Sequence, residues 1–293
     1  MVDSAIIKRK KCPFCNYKFS KIIYKKKLNS PEITKFLKHH LSSKFPFNVL
    51  NKKYFIVLEC KNCTGIYQQN ILNKKYNKIF YEEYVPQEDS FIKKKEYNKI
   101  YNKIYQSEIE YIKSLLAKEN KINVLEIGAG WGLWSILAKK NNMNVTAIEI
   151  ANVRRKFLKK NKINTYKSIK SVNKKFNLIY SDQTFEHLSN PLDYLFKLSK
   201  LLKPGGYIYL KVPPGIYIKR KLKKNYQFGD DEIIPLEHIN VFNRKVNNLL
   251  AKKVGLKYIY PQNIYSYFSI NFFIKNLNNF YEYISSKTII FKK

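Results

Sequence analysis

Val124-Leu-Glu-Ile-Gly-Ala-Gly-Trp-Gly132, running into Leu133-Trp-Ser-Ile-Leu-Ala138 and then Asn144-Val-Thr-Ala-Ile-Glu149, decides the fold class. Asn123–Ile127 is a short, nearly unbroken apolar run and reads as a strand buried on both faces, with a helix expected over Leu133–Lys140. Between them, Gly128 and Gly130 carry no Cβ, so the chain can turn sharply and bring backbone close to a ligand. N–H groups at the start of the following helix favour a carboxylate or phosphate there. A dinucleotide fingerprint has the spacing G-x-G-x-x-G. Here the spacing is E-x-G-x-G-x-G, with Glu126 inside the strand end. A carboxylate at that point repels a pyrophosphate and suits a ligand bearing ammonium and sulfonium charges. Glu149 closes the second strand about 20 residues beyond Gly128, where an acid accepts hydrogen bonds from ribose hydroxyls.

Working outward, strand and helix signals alternate from Lys121 onward. A basic helix is expected over Asn152–Lys160 and a strand over Phe176–Tyr180, ending at Ser181-Asp182. A helix from Pro191 to Leu202 stops at the breaker cluster Lys203-Pro-Gly-Gly206, and Tyr207–Val212 is a further buried strand. A helix over Arg244–Lys253 and strands over Leu256–Tyr260 and Thr288–Phe291 complete the series. The aromatic stretch Ile264–Ile284 reads as a helix that helps cover an active site. Alternation of this kind builds a parallel sheet covered on both faces.

From Lys121 to about Lys257 the chain resembles the class I S-adenosylmethionine-dependent methyltransferases. The residues that carry the likeness are Val124–Gly132, Ile148-Glu149, Asp182-Gln-Thr-Phe-Glu-His-Leu188 and Leu202-Lys-Pro-Gly-Gly206. His238-Ile-Asn-Val-Phe242, ahead of a late helix, is similar to the branch that methylates small molecules and sugars. The resemblance implies an α/β fold: a Rossmann-like, seven-stranded methyltransferase sheet with a small N-terminal four-cysteine zinc-binding module. It implies that Glu126, Gly128, Ala129, Gly130 and Gly132 surround the methionine part of S-adenosyl-L-methionine. Glu149 would hold the ribose, and Asp182 and Gln183 would lie beside the cofactor. The family's acid near the adenine has no match around Tyr166-Lys-Ser168, so the adenine contacts stay unassigned.

All four cysteines fall in the first 63 residues, as Cys12-Pro-Phe-Cys15 and Cys60-Lys-Asn-Cys63. Two C-x-x-C knuckles supply four thiolates, the ligand set of a structural tetrahedral Zn2+ site. Residues 16–59 separate them, more than the usual gap of about 15–20, so a segment loops out between the knuckles. The surrounding sequence resembles the zinc-ribbon head of some methyltransferases of sugar and surface-polysaccharide pathways. The expected division is a zinc-ribbon-like module over 1–70, a Tyr- and Lys-rich linker with a leading helix over 71–120, and the cofactor-binding domain over 121–293.

With 56 basic against 21 acidic residues the net charge is +35, which would ordinarily point to nucleic acid or an anionic surface. Yet only Arg9, Arg154, Arg155, Arg220 and Arg244 are arginine, and the lysines are spread over every segment. Nucleic-acid sites lean on arginine for bidentate contacts, so nucleic acid is admitted as a partner but not favoured. The absence of a signal-like or membrane-length apolar run gives a cytoplasmic expectation. Methyl transfer from a sulfonium needs positioning and, for a hydroxyl or acidic C–H, a base. His187 and His238 are the catalytic candidates, with helix-start packing and loop orientation as their structural alternatives. His39 and His40 are expected to be solvated, and Tyr81 and Tyr84 could line an acceptor pocket. The expected acceptor is a nucleotide-linked sugar or surface-glycan precursor. The alternatives are RNA or protein, or a non-catalytic binding module. Ser181-Asp-Gln-Thr184 stands where an Asp/Asn-Pro-Pro-aromatic tetrad would mark methylation of base amino groups.

Overall fold

The computed structural model describes residues 5–86, 98–213, 215, 217–224, 226–228, 232–259 and 288–293. Among them the strands are β1 (Ile6–Lys8), β2 (Ser20–Lys27), β3 (Tyr54–Cys60), β4 (Ile66–Gln68), β5 (Asn70–Leu72), β6 (Asn123–Ile127), β7 (Asn144–Ile148), β8 (Asn164–Tyr166), β9 (Phe176–Asp182), β10 (Leu202–Lys211), β11 (Asn240–Val241), β12 (Lys257–Ile259) and β13 (Thr288–Lys292). The helices are α1 (Pro31–His40), α2 (Lys74–Ile79), α3 (Asn98–Leu115), α4 (Leu133–Lys140), α5 (Asn152–Lys160), α6 (Pro191–Leu201), α7 (Ile218–Lys223) and α8 (Arg244–Lys253). The helix expected over Ile264–Ile284 lies outside the described residues.

The chain forms two compact units, and neither is continuous in sequence. A cysteine unit takes Met1–Gln87, Phe185–Tyr194 and Pro213–Leu250; a sheet unit takes Glu88–Thr184, Leu195–Val212 and Ala251–Lys293. These do not follow the consecutive division 1–70, 71–120 and 121–293. The unit that carries the thiols completes its core with segments from the downstream half of the chain.

The sheet unit holds seven strands in the order β12-β13-β10-β9-β6-β7-β8. Neighbours from β10 through β8 are parallel, while β13 runs antiparallel to both β10 and β12. The expected α/β sheet is therefore present. Chain order runs from β6 out to β8, then returns to β9 on the other side of β6. That reversal is a topological switch point, and ligands of open α/β sheets bind beyond the carboxyl ends of the strands there. The core unites Val124, Leu178 and Ile290 with Ile109 and Ile112 of α3. Trp134 of α4 stacks on Tyr180 of β9 with ring centroids 3.8 Å apart. Strand β10 begins earlier than the Lys203-Pro-Gly-Gly206 breaker suggests. Its register against β9 shifts between Leu202 and Tyr207, so the proline and glycines sit in a bulge.

The cysteine unit has an antiparallel sheet ordered β11-β4-β3-β2 and a separate ribbon of β1 with β5. Helix α1 starts as its sequence dictates, with Pro31 in the first turn beside Glu32 and Lys38, His39 and His40 in the last. It buries Ile33 and Leu37 in a core shared with Phe55, Val57, Phe80, Ile218 and Val241. Arg9 ties distant segments of this unit together. Its guanidinium donates to the carbonyls of Leu188 (3.2 Å), Ser189 (2.9 Å) and Ile239 (3.2 Å) and to Asn240 Oδ1 (2.9 Å). Burial pushes Arg9 down to about 9, against weaker opposing effects from Tyr67 and Cys12. Arg9→Met should cost about 3 kcal/mol in urea unfolding, because several carbonyls lose a charged donor at once. Arg9→Lys should recover little, since an ammonium cannot span the same carbonyls.

Candidate active site and thiol centre

The glycine turn after β6 takes left-handed backbone at each of its glycines: Gly128, Gly130 and Gly132 have φ of +70°, +56° and +72°. A Cβ on Gly128 would lie 2.1 Å from Thr184 Oγ1, and one on Gly132 would lie 2.2 Å from Leu158 Cδ2. Glycine is thus required twice over, by backbone conformation and by space. The Gly128 and Ala129 N–H groups bond the Ile148 carbonyl at 2.9 and 3.2 Å, holding the turn against the end of β7. Glu149 then closes it: one carboxylate oxygen accepts the Gly130 N–H and the other the Ala151 N–H, both at 2.8 Å. Glu126 is buried one turn back and accepts a hydrogen bond from the Ser135 hydroxyl of α4. Six of the expected cofactor residues, Glu126, Gly128, Ala129, Gly130, Gly132 and Glu149, therefore gather at the carboxyl ends of β6 and β7.

Asp182 and Gln183 stand apart in character. Asp182 ends β9 and pairs in register with Lys211 of β10. Its carboxylate accepts from the Tyr105 hydroxyl at 2.9 Å and lies 3.3 Å from the Lys211 ammonium, which is itself 2.6 Å from Glu108. Gln183 is exposed, with φ of +50° and its N–H bonded to the Lys211 carbonyl. Burial drives the Glu108 carboxyl above its ordinary range despite Lys211. Burial first, and then the carboxyl groups of Asp182, Glu108 and Glu126, push the Tyr105 hydroxyl well above its ordinary range. Tyr105, Glu108 and Lys211 were not singled out from the sequence. The available signal was Lys211, a charge inside the apolar run Tyr207–Val212.

The four thiols meet in the cysteine unit. Cys12 Sγ lies 3.6 Å from Cys63 Sγ and Cys15 Sγ 3.5 Å from Cys60 Sγ, and all four lie within 4.8 Å of one another. Sulfurs on a tetrahedral Zn2+ with bonds of about 2.3 Å would be about 3.8 Å apart. Each knuckle turns through a left-handed residue, Asn16 at φ +62° and Thr64 at φ +58°. The Asn16 and Thr64 N–H groups bond back to the Cys12 and Cys60 carbonyls at 2.9 and 3.1 Å. The loop expected between the knuckles consists of β2, α1 and most of β3.

The two candidate histidines also belong to the cysteine unit. Glu186 and His187 share the 3₁₀ turn Phe185–His187, and His238 follows Leu236, which has φ of +69°. The Asn240 side-chain amide donates to the carbonyls of Phe185, Glu186 and Leu188, and the Ile239 N–H to Glu186, binding loop to turn. The two rings then lie 4.8 Å apart by centroid. Tyr81 places its hydroxyl 3.0 Å from His187 Nδ1, so this tyrosine joins the cluster. His40 is half-buried and 2.6 Å from Glu237 Oε2, contrary to the expectation that it is solvated. Burial alone would raise Glu237, but the His40 hydrogen bond and the neighbouring histidine charges hold it down at about 2. His39 is exposed as expected.

A methyltransferase-domain family matches residues 97–260, more than half of the chain. The chain belongs to that family. The matched residues form a methyltransferase domain that takes in most of the sheet unit and, from the cysteine unit, Phe185–Tyr194 and Pro213–Leu250. Malonyl-[acyl-carrier protein] O-methyltransferase 2 of Ilyobacter polytropus is 36% identical over 100 residues, covering 31% of this chain. The chain spans about two-fifths of that relative's length, 39%. Among solved structures, the plantazolicin methyltransferase BpumL in complex with a monoazolic desmethylPZN analog and SAH superposes with a TM-score of 0.51. It is 17% identical and covers 74% of this chain and 93% of its own. BpumL in complex with SAH gives the same TM-score at 16% identity, with 74% and 92% covered. At these identities the likeness is one of fold.

Lys211→Met should lower stability by about 3–5 kcal/mol in urea unfolding, because it strands the buried Glu108 carboxyl and removes the cation beside Asp182. Adding Glu108→Leu should restore part of that loss.

Proposed function

We propose that the protein transfers the methyl group of S-adenosyl-L-methionine to a small-molecule acceptor, a nucleotide-linked sugar or surface-glycan precursor in the cytoplasm. The observation that carries the cofactor assignment is the left-handed glycine turn closed by Glu149 at the switch point. The turn leaves room for backbone alone, and Glu149 sits where ribose hydroxyls would find a carboxylate acceptor. Glu126 and the acidic surroundings of Tyr105 suit the ammonium and sulfonium charges. When bound, the cofactor supplies an already activated leaving group, so the chain's own task is to hold the acceptor in line and take its proton. We assign the positioning of the cofactor to Gly128, Ala129, Gly130, Gly132, Glu149, Asp182 and Gln183, and the proton to His187 and His238.

The sugar-type acceptor is supported by the likeness of His238–Phe242 and the cysteine head to that branch. A nucleic-acid acceptor finds less support, because arginines that could read nucleic acid are engaged within the fold. Arg9 is spent on protein carbonyls, and Arg155 donates to those of Glu149 and Ile150. Cys12, Cys15, Cys60 and Cys63 would hold one structural Zn2+, a closed all-thiolate site that stabilises the unit and does no chemistry.

Calorimetry should show S-adenosyl-L-methionine binding weakened about 30- to 100-fold in Glu149→Ala, the loss of two charged hydrogen bonds. Binding unchanged by that substitution would overturn the site. A screen with radiolabelled methyl donor should label nucleotide sugars; label on RNA, peptide or acyl-carrier substrates alone would overturn the acceptor class. Metal analysis of purified protein should find one equivalent of zinc in the thiol centre. Cys12→Ser should release it and lower the melting temperature.

A further inference from the structure

Inside the sheet unit, Tyr105, Glu108, Tyr180, Asp182 and Lys211 form one polar network that opens to the outside at Asp182. The Asp182 side chain is 19% exposed, against 2% for Glu108 and 6% for Lys211, and both tyrosines are buried. We propose that Asp182 receives the ammonium group of the methyl donor's methionine part and that Tyr105 is the positioning residue that orients it. The proposal rests on the reading of Glu149 as the ribose acceptor and extends that reading to the other end of the donor.

The direction of the donor follows from the strand order. Strand β6 lies between β7 and β9, so Glu149 just after β7 and Asp182 at the end of β9 flank its glycine turn from opposite sides. In S-adenosyl-L-methionine the ribose joins a neutral adenine on one side to the sulfonium and the methionine part on the other. Adenine offers a carboxylate no positive charge. With the ribose at Glu149, the group suited to a carboxylate across the turn is therefore the methionine ammonium.

The network fixes one oxygen of Asp182 and leaves the other to a ligand. The Tyr105 hydroxyl donates to Oδ2 at 2.9 Å, and the Lys211 ammonium lies 3.3 Å from the same oxygen. Burial, reinforced by the neighbouring carboxyls, keeps the proton on Tyr105, so it remains a donor. Oδ1 takes no hydrogen bond among the described residues. Lys211 does not cancel the charge of Asp182, because at 2.6 Å it is closer to Glu108, whose other oxygen accepts from Tyr180 at 3.0 Å. One ammonium thus serves two carboxyl groups, and a ligand ammonium on Oδ1 supplies a second positive charge. The backbone is held as well. Gln183 is left-handed at φ +50°, with its N–H on the Lys211 carbonyl at 2.9 Å. A residue other than glycine persists in that conformation where its surroundings hold it, and such residues gather at ligand sites. Net stability is a weak reason for a buried Glu108–Lys211 pair, since apolar side chains of similar size do as well; the orientation of Asp182 is a stronger one.

Calorimetry on the full chain with two probes tests the proposal. S-adenosyl-L-homocysteine carries the ammonium, and methylthioadenosine lacks the whole amino-acid part. Asp182→Asn should weaken S-adenosyl-L-homocysteine about 10- to 100-fold and Tyr105→Phe about 3- to 10-fold, the worth of a charged and of an ordinary hydrogen bond. Methylthioadenosine should bind both variants as tightly as it binds the unsubstituted chain. A merely structural role would instead loosen both probes together. Equal weakening of the two probes, or S-adenosyl-L-homocysteine bound unchanged by either variant, would overturn the proposal. Failure of the ribose reading shows elsewhere, in Glu149→Ala, which should weaken both probes alike because both carry the ribose. Neither probe binding the unsubstituted chain would overturn the donor site and this proposal with it.

Discussion

Two backbone N–H groups converging on the Glu149 carboxylate are the interaction that holds the sheet unit's glycine turn in place. The turn from β6 into α4 must pass through three left-handed residues, a conformation with few stabilising contacts of its own. Glu149 bonds the middle of that turn to the start of α5, and Ile148 bonds its beginning to β7. The loop is thereby built into the sheet before any ligand arrives. Replacing Gly128 adds a clash with Thr184 at the end of β9, so the switch-point strands constrain one another through the turn.

In the cysteine unit the corresponding task falls to polar side chains that reach between segments remote in sequence. Arg9, Gln68 and Asn240 bond almost entirely to backbone carbonyls, and between them they fix the 185–189 turn and the 234–240 loop. Buried carbonyls need donors, and a side chain with several N–H groups can satisfy several at once. The same bonds bring His187 and His238 together, residues 51 positions apart that no strand pairing joins directly.

Periodicity and turn chemistry made most of the sheet unit legible in the sequence. The strands β6, β7, β9 and β10 are apolar runs bounded by breakers, and the glycine spacing with Glu149 marked the turn that is hydrogen-bonded at the carboxyl ends of β6 and β7. The bulge in β10 was not legible, because a Lys-Pro-Gly-Gly cluster reads as an end even when the strand resumes its pairing beyond it. Three-residue strands such as β1, β4, β5 and β8 offer too few alternations to stand out. The cysteine knuckles were legible from spacing, whereas the unit around them was not, since its remaining segments lie after Thr184 and look like connections within the sheet. His40 shows the same limit: on α1 it reads as one more basic residue, and only the return of Glu237 from far downstream buries it. Lys211 was visible as an anomaly, but its partners Glu108 and Tyr105 sit on a helix crowded with similar residues.

The interrupted course of the cysteine unit also sets an order of events during synthesis. The thiols leave the ribosome first, yet the unit's core needs Ile218, Ile233 and Val241. The strands β6 to β9, with their intervening helices, are made and can pair before that. A growing chain therefore carries an unfinished thiol module past the completion of half a sheet, with loop closures of more than 100 residues still to come. Thiols ligating an ion early would shorten those closures, and thiols oxidised early would trap them. The interval between residue 63 and residue 250 is thus the stage of the protein's life most exposed to metal supply and to redox conditions.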